Sequence, residues 1–291
     1  MTKNILKAII NISKSEDTTL SNYEEFDDPD NRIQKQGAGL EIFIKDSFCG
    51  IPLGSTPNET RIENYLRVFS DTGHKNNPPD AMIRGSDAME IKKKNDNSGQ
   101  GSRGSLALNS SPPKTFLSNS DKNIQNSTRE CEEQPWKRDY LYVIGNVKSG
   151  NLFRVTYCYG NCFVSSNGEY GRIFDSIKNG VDGVDIGTSK RIESNELGRI
   201  KKIDPQDFTT LRIRSMFELE SPNKIFKNEI DWKQNEKLVI TAIMRKEKYQ
   251  SFPEQDRKSL KSNDFEIKEF KEKHPDNPKE EIDLVLVRYS R

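Results

Sequence analysis

The pattern that most constrains this chain is Pro79-Asp80 followed by Glu90-Ile91-Lys92, with the turn-forming Gly85-Ser86-Asp87 between them. A hairpin centred near Gly85 and Ser86 places Asp80 opposite the second strand. Because side chains in a strand alternate between faces, Glu90 and Lys92 point the same way. The pattern therefore predicts that two carboxylates and an ammonium group converge on one small volume.

These residue types suit metal-assisted hydrolysis of a phosphodiester. Mg²⁺ prefers oxygen ligands and keeps several waters, so Asp80, Glu90 and the backbone carbonyl of Ile91 are a sufficient predicted ligand set. A bound metal polarises the scissile phosphate and lowers the pKa of a bound water. Lys92 is predicted to hold that water or to stabilise charge growing on the phosphate oxygens.

The same short motifs recur elsewhere without this arrangement. Glu-x-Lys is found again at Glu266-Ile267-Lys268 and Glu269-Phe270-Lys271, in a polar stretch predicted to be a helix with a solvated face, and the whole chain is 31% charged. Pro-Asp recurs at 29–30 and 275–276 without Glu-x-Lys at hairpin distance. On the pattern alone, a nuclease site and a chance charged hairpin both remain open.

Composition limits the classes of function. The net charge is only +1, so a DNA-binding surface must come from local clusters of basic residues. The 14 Phe and 9 Tyr argue for a real core despite only 32% hydrophobic residues. The sequence shows no apolar run of the roughly 18 residues that a membrane span needs, and no signal peptide, so a cytoplasmic location is expected. The four cysteines fit no strong zinc pattern and are expected to be reduced thiols.

Apolar spacing predicts helices before the hairpin and strands after it. The predicted helices lie at about 3–13, 36–48, 58–69 and 170–178. The predicted strands lie at 140–147, 152–159, 197–203, 211–219, 238–244 and 282–289. This order predicts an α/β (α+β) fold in one domain, 1–291, with a catalytic core at about 36–180, a possible recognition part at about 181–250 and a polar tail at about 251–291.

Basic and amide residues provide candidate DNA contacts. If 211–217 is a strand, Arg212 and Arg214 share one face, where they can grip phosphates or guanine edges. A solvated face with ion pairs to Glu193 or Glu218 remains the alternative, and Asn109 and Ser110 suit either base contacts or an ordinary turn. The residues predicted to contact DNA are Lys93, Lys94, Asn109, Ser110, Lys114, Arg199, Lys202, Arg212 and Arg214.

Three blocks in this order resemble the NgoPII-type restriction endonuclease family. They are Asn76–Arg84 continuing through Asp87–Lys93, Ala107–Lys114, and Glu196–Arg199 continuing through Leu211–Met216. The resemblance spans roughly residues 1 to 245. The family is a branch of the PD-(D/E)XK nucleases, so the resemblance implies a restriction-endonuclease-like core, a mixed sheet flanked by helices, with additional strands for DNA recognition.

The resemblance also implies roles for particular residues. Asp80 and Glu90 match the metal-binding acids, Lys92 matches the catalytic lysine, and Glu41 resembles a helix glutamate that adds to the metal shell in some members of the superfamily. The implied activity is Mg²⁺-dependent cleavage of double-stranded DNA at a short palindrome, GGCC in the best-known members, leaving 5′-phosphate ends. A two-fold site is expected to need a homodimer, and a cognate DNA methyltransferase is expected as a functional partner.

Two other functions remain open from the residues. One is a repair or recombination nuclease with the same core that recognises DNA structure. The other is a non-catalytic DNA-binding relative in which the charged hairpin is only structural.

Overall fold

The computed structural model describes residues 3–20, 32–53, 56–74, 77–96, 104–109, 111–121, 124–182, 196–201, 205–206, 208, 210–230 and 236–291. The helices are α1 (Ile5–Ser13), α2 (Arg32–Cys49), α3 (Asn58–Val68), α4 (Asn126–Glu130), α5 (Asn167–Asp182), α6 (Pro222–Ile225), α7 (Lys246–Ser251) and α8 (Glu254–Lys261). The strands are β1 (Phe69–Asp71), β2 (Ala81–Ile83), β3 (Ala88–Asn95), β4 (Leu106–Asn109), β5 (Phe116–Ser118), β6 (Lys137–Lys148), β7 (Asn151–Tyr159), β8 (Glu196–Lys201), β9 (Thr210–Arg214), β10 (Phe217–Leu219), β11 (Val239–Arg245), β12 (Glu266–Lys273) and β13 (Glu281–Ser290).

A mixed sheet dominates the described part of the chain. Its order is β1-β2-β3-β6-β7-β11-β13-β12, with β5 pairing beside the start of β6. The pairs β3–β6 and β7–β11 are parallel, and the other neighbours along this path are antiparallel. Two small antiparallel pairs, β4–β10 and β8–β9, lie outside it. A mixed sheet flanked by helices confirms the predicted fold class.

The centre of the sheet is buried on both faces. On one face, α2 inserts Leu40, Phe43 and Phe48 into the larger core cluster, and Gly145 of β6 makes room for Leu40. A Cβ at position 145 would lie 2.6 Å from a methyl of Leu40, so a larger residue would push α2 away. The other cluster contains Trp136, the side chains of several β4 and β6 residues, and Leu117. Strands β3 and β6 are therefore held firmly from both sides.

Helix α1 confirms the prediction of an N-terminal helix packed on the body. Asn4 caps it, because its side chain accepts a hydrogen bond from the Lys7 amide at 3.2 Å. Ile5, Leu6 and Ile9 are fully buried. The helix contacts α2 and α8, and the Asn4 side chain donates to Asp256 Oδ2 at 2.8 Å.

The structure changes several predictions in the second half. The Glu-x-Lys copies were expected in a helix, which is wrong: they form the edge strand β12, whose side chains are mostly exposed. The segment interpreted as a polar tail carries β12 and the buried residues 284–287 of β13, which lies inside the main sheet. The strand expected at 211–219 is two strands, since β9 pairs with β8 and β10 pairs with β4.

The sequence predicted no membrane span and reduced cysteines, and the structure bears on both within the described residues. In that part of the chain, no helix is long and apolar enough to cross a membrane. All four cysteines fall within it, and each is a free thiol.

Candidate active site

The structure confirms the hairpin that was predicted between Asp80 and Lys92. Strands β2 and β3 pair in antiparallel register, with Ala81 opposite Met89. The Asp80 amide donates to the Met89 carbonyl at 2.9 Å, which continues the pairing by one residue. Gly85 has φ of +68°, a conformation that favours glycine, so its place in the turn is explained by backbone geometry.

Asp80 is fixed from two sides. Its Oδ2 accepts a hydrogen bond from the Ile91 amide at 2.6 Å, so its carboxylate lies against β3 as predicted. On the other side, Gly73 follows β1 with φ of +96°, and a Cβ built on it would lie 2.2 Å from the Asp80 carbonyl oxygen. Only a glycine leaves Asp80 where it is.

Glu90 and Lys92 form a close pair on one face of β3. The Lys92 Nζ lies 2.6 Å from Glu90 Oε1. The other oxygen, Oε2, accepts a hydrogen bond from the Tyr140 hydroxyl at 2.7 Å. The structure thus brings together the three residues predicted to be catalytic, and adds a tyrosine to them.

The electrostatics of the pocket are those of crowded carboxylates. Burial, together with the charges of Glu90 and Glu41, raises the pKa of Asp80 to about 8, although Lys92 and the Ile91 amide act in the opposite direction. For Lys92, burial lowers the pKa, but the carboxylates outweigh it and the net shift is upward. Lys92 therefore stays an ammonium ion while Asp80 resists ionisation.

Glu41 lies on α2 within electrostatic reach of this group. Its negative charge raises the pKa of both Asp80 and Lys92. Its Oε2 lies 3.5 Å from Lys45 Nζ. Lys45 in turn donates to the Thr72 carbonyl at 2.8 Å, next to Gly73. The helix thus supplies a third acidic side chain near the site, and the place of Glu41 in the metal shell stays a prediction.

The donor chemistry fits a hard divalent cation. Within the described ranges, no cluster of three or more His, Cys, Asp and Glu side chains has the geometry of a ready-made metal site. Mg²⁺ does not need one, because one or two carboxylates and waters suffice. Burial raises the pKa of Asp80, and the negative charges of Glu90 and Glu41 add to the shift; a bound cation would offset that repulsion. The Ile91 carbonyl as a ligand stays a prediction.

The residues predicted to contact DNA differ in where they lie and in how exposed they are. Lys94 shares the face of Glu90 and Lys92, and its Nζ donates to the Ser105 carbonyl, while Lys93 lies on the opposite side of β3. Lys114 is only 4% exposed, with its Nζ 3.9 Å from Asp121, so the structure does not present its charge to DNA.

The remaining residues predicted to contact DNA that the structure describes lie in the two small strand pairs, β4–β10 and β8–β9. Asn109 ends β4 opposite Phe217 of β10, although its side chain lies outside the described atoms. Arg212 and Arg214 are exposed residues of β9, and Arg212 pairs in register with Arg199 of β8. Ser110 and Lys202 lie outside the described residues.

A buried ionic cluster near the hairpin was not predicted. Lys248 Nζ lies 2.6 Å from Asp87 Oδ1 and also contacts Asp139, and the Tyr159 hydroxyl donates to Asp87 Oδ2 at 2.7 Å. Asp87 is in the hairpin turn, Asp139 precedes Tyr140, and Lys248 is on α7. The cluster ties the catalytic hairpin to β6 and α7, and no sequence signal links residues so far apart.

Two comparisons with known proteins give the family of this chain. The model of the NgoPII restriction endonuclease family matches residues 3–274. The type II restriction enzyme NgoPII of Neisseria gonorrhoeae is 33% identical over 290 residues, which cover 98% of this chain and 99% of that enzyme. The chain belongs to the NgoPII restriction endonuclease family. No solved structure is a significant match.

Membership of the NgoPII family establishes the class of activity. The chain is a type II restriction endonuclease, which cleaves DNA site-specifically. Such enzymes generally use divalent metal ions, and their substrate is DNA. The similarity also extends past residue 245, where the resemblance was expected to end, so β12 and the region after Tyr249 belong to the family match.

Proposed function

We propose that this enzyme uses Mg²⁺ to cut both strands of DNA at a short palindromic, GGCC-like site and leaves 5′-phosphate ends. The observation that carries the proposal is the convergence of Asp80, Glu90 and Lys92 in one hairpin, with Lys92 Nζ 2.6 Å from Glu90. The GGCC-like site rests on the family resemblance.

Each residue has a distinct part in this mechanism. Asp80 and Glu90 would hold the ion, with the Ile91 carbonyl and Glu41 as further oxygens. When bound, the ion supplies positive charge at the scissile phosphate and acidifies a water. Lys92 keeps its proton beside the carboxylates, so it orients the attacking water and stabilises negative charge on the phosphate oxygens.

The recognition part is proposed to include β9 and the end of β4. Arg212 and Arg214 alternate on one exposed strand, which suits contacts along a groove or a phosphate backbone. Strand β10 follows β9 closely and pairs with β4 at Asn109, which brings the two predicted DNA-contacting segments together. Within one domain, β8, β9 and the end of β4 would then serve recognition, whereas β11, which was expected in the recognition part, belongs to the main sheet that carries the catalytic hairpin.

The proposed assembly is a homodimer. A palindrome has two-fold symmetry, so two identical active sites related by the same axis can cut both strands. A cognate methyltransferase that modifies the same sequence would protect the host's own DNA.

The test is digestion of a long, fully sequenced DNA with purified protein and Mg²⁺, followed by sequencing of the ends. Discrete fragments that share one palindrome and carry 5′-phosphates are expected. Glu90→Gln should abolish cutting, whereas Glu266→Gln, at the exposed copy of Glu-Ile-Lys, should cut normally. Cutting at structured sites would instead favour a repair nuclease. Normal cutting by Glu90→Gln would show that the site is elsewhere.

A further inference from the structure

The Tyr140 hydroxyl forms a hydrogen bond with Glu90 of the candidate active site. The hydroxyl donates to Glu90 Oε2 at 2.7 Å, while Lys92 lies 2.6 Å from Oε1. The two oxygens of one carboxylate therefore have different partners. The tyrosine contacts Oε2 and the lysine contacts Oε1.

The tyrosine is held rigidly in this position. It is 2% exposed, and its ring contacts that of Tyr142 edge-on at 5.2 Å between centroids. Its amide donates to the Thr115 carbonyl at 3.1 Å. The preceding residue, Asp139, is held by Lys248. A donor whose backbone and ring are both fixed can impose an orientation on a flexible glutamate.

The hydroxyl also keeps its proton. Burial, together with the charges of Glu90 and Tyr142, raises the pKa of Tyr140 well above its usual range. The hydroxyl therefore acts as the donor in its 2.7 Å contact with Glu90 Oε2. A buried donor on one oxygen of a carboxylate restricts rotation of that carboxylate, so both of its oxygens keep a fixed direction.

We infer that Tyr140 is a positioning residue, which holds Glu90 through Oε2 and so fixes the orientation in which the carboxylate meets the divalent cation. The inference rests on the proposed function of Glu90 as a metal ligand. Partners that orient metal-binding carboxylates typically contribute 10- to 100-fold in metal affinity or activity. Tyr140 is expected to contribute an amount of this size without touching the DNA.

The test compares two tyrosine-to-phenylalanine variants of the full-length protein. Tyr140→Phe removes the hydrogen bond to Glu90, and Tyr159→Phe removes a buried hydrogen bond of the same type and length, 2.7 Å, to Asp87. Mn²⁺ alone is titrated into each protein and followed by the loss of the free-ion electron paramagnetic resonance signal. The Mg²⁺ concentration for half-maximal cleavage is measured in parallel, together with thermal unfolding.

We expect Tyr140→Phe to need about tenfold more Mn²⁺ and Mg²⁺. Its cleavage rate should recover most of the wild-type value at saturating Mg²⁺, because the ligands themselves remain. Tyr159→Phe should lose thermal stability but keep its metal dependence. Wild-type Mn²⁺ and Mg²⁺ dependence in Tyr140→Phe, or an equal change in both variants, would overturn the inference.

Glu90→Gln in the same titrations separates this inference from the proposed function. If Glu90→Gln binds metal and cuts as the wild type does, then Glu90 is not a ligand and the proposed site is wrong. If Glu90→Gln loses metal binding while Tyr140→Phe keeps it, then only the role of Tyr140 is refuted.

Discussion

Gly73 touches the backbone of Asp80 so closely that its missing side chain is a requirement of the site. A Cβ at Gly73 would lie 2.2 Å from the Asp80 carbonyl oxygen, closer than real Cβ contacts come. The position of the first metal-binding candidate therefore depends on a residue just after β1, seven positions earlier in the chain.

Replacing Gly73 with alanine should displace Asp80. Gly150→Ala is the matched control, because Gly150 also has positive φ, +81°, but has open space around its Cβ position. Both variants should lose about 1 kcal/mol of unfolding free energy from backbone strain. Only Gly73→Ala should also cleave at least tenfold more slowly, as measured by initial rates. Equal loss of activity in both would mean that Asp80 does not depend on this contact.

Lys92→Met should separate catalysis from binding. Loss of a group that stabilises transition-state charge typically lowers kcat by about 10²–10³-fold. Duplex affinity, measured with Ca²⁺ in place of Mg²⁺, should change only slightly. Lys268→Met is the control: it lies in the second Glu-Ile-Lys copy, on an exposed strand, where it pairs with Glu229 at 2.6 Å. A similar loss of rate in both variants would contradict the assignment of Lys92.

The raised pKa of Asp80 predicts a specific pH dependence of stability without metal. An unfolded Asp has a pKa of about 3.9, whereas that of folded Asp80 is about 8. Between these values the folded protein binds a proton that the unfolded chain has lost, so this residue makes stability fall as pH rises. The advantage of Asp80→Asn over the wild type should therefore grow from pH 5 to pH 8, as measured by thermal unfolding.

Asp276 provides a control of opposite sign for that experiment. It belongs to another Pro-Asp pair, and hydrogen bonds from the Ser166 amide and the Ser165 hydroxyl lower its pKa. Its stabilising effect is present above the unfolded pKa and disappears as pH falls through the folded pKa. Asp276→Asn should therefore lose stability at neutral pH and approach the wild type in acid. If Asp80→Asn behaved in the same way, its carboxylate would not be the proton-binding group.

Lys248 should be important for stability rather than chemistry. Lys248→Met leaves the buried carboxylate of Asp87 without its ionic partner, and breaking such a pair costs about 3 kcal/mol. Urea unfolding measures the loss. Lys246→Met is the control two residues away, since its ion pair with Glu269 is exposed and should contribute nothing measurable. Equal stability of the two variants would refute the structural role of the cluster.

The recognition strand can be tested by its salt dependence. Arg212→Ala and Arg214→Ala should each weaken DNA binding. A phosphate contact would lower the affinity for all sequences and the salt slope by about 1, whereas a base contact would cost about 1–3 kcal/mol on the cognate site only. Lys258→Ala, an exposed residue of α8, should change neither quantity. Unchanged specific binding in both arginine variants would remove β9 from the interface.

The sequence predicted the catalytic hairpin because everything that defines it is local. The turn at Gly85 and the alternation of Glu90 and Lys92 operate within one short segment, so period-two geometry is enough. The early helices were predictable for a similar reason, since their apolar residues repeat at helical spacing.

What the sequence did not predict depends on pairing between distant segments. Tyr140 reaches Glu90 only because β3 and β6 pair in parallel with Ala88 opposite Tyr140, and no local pattern sets that register. Residues 266–273 look helical because Ile267 and Phe270 are three apart and Glu and Lys favour helices. Pairing with β13 overrides that preference.

Strand β13 lies between β11 and β12, although it is made after every other strand of the sheet. A ribosome still adding residues 281–290 holds a chain in which β11 has an unpaired edge and β12 has no neighbour. Domains generally fold as units, so the scaffold behind the catalytic hairpin is completed only once β13 has been made. A growing chain that has not yet reached β13 is therefore expected to be harmless to the DNA of the cell that makes it.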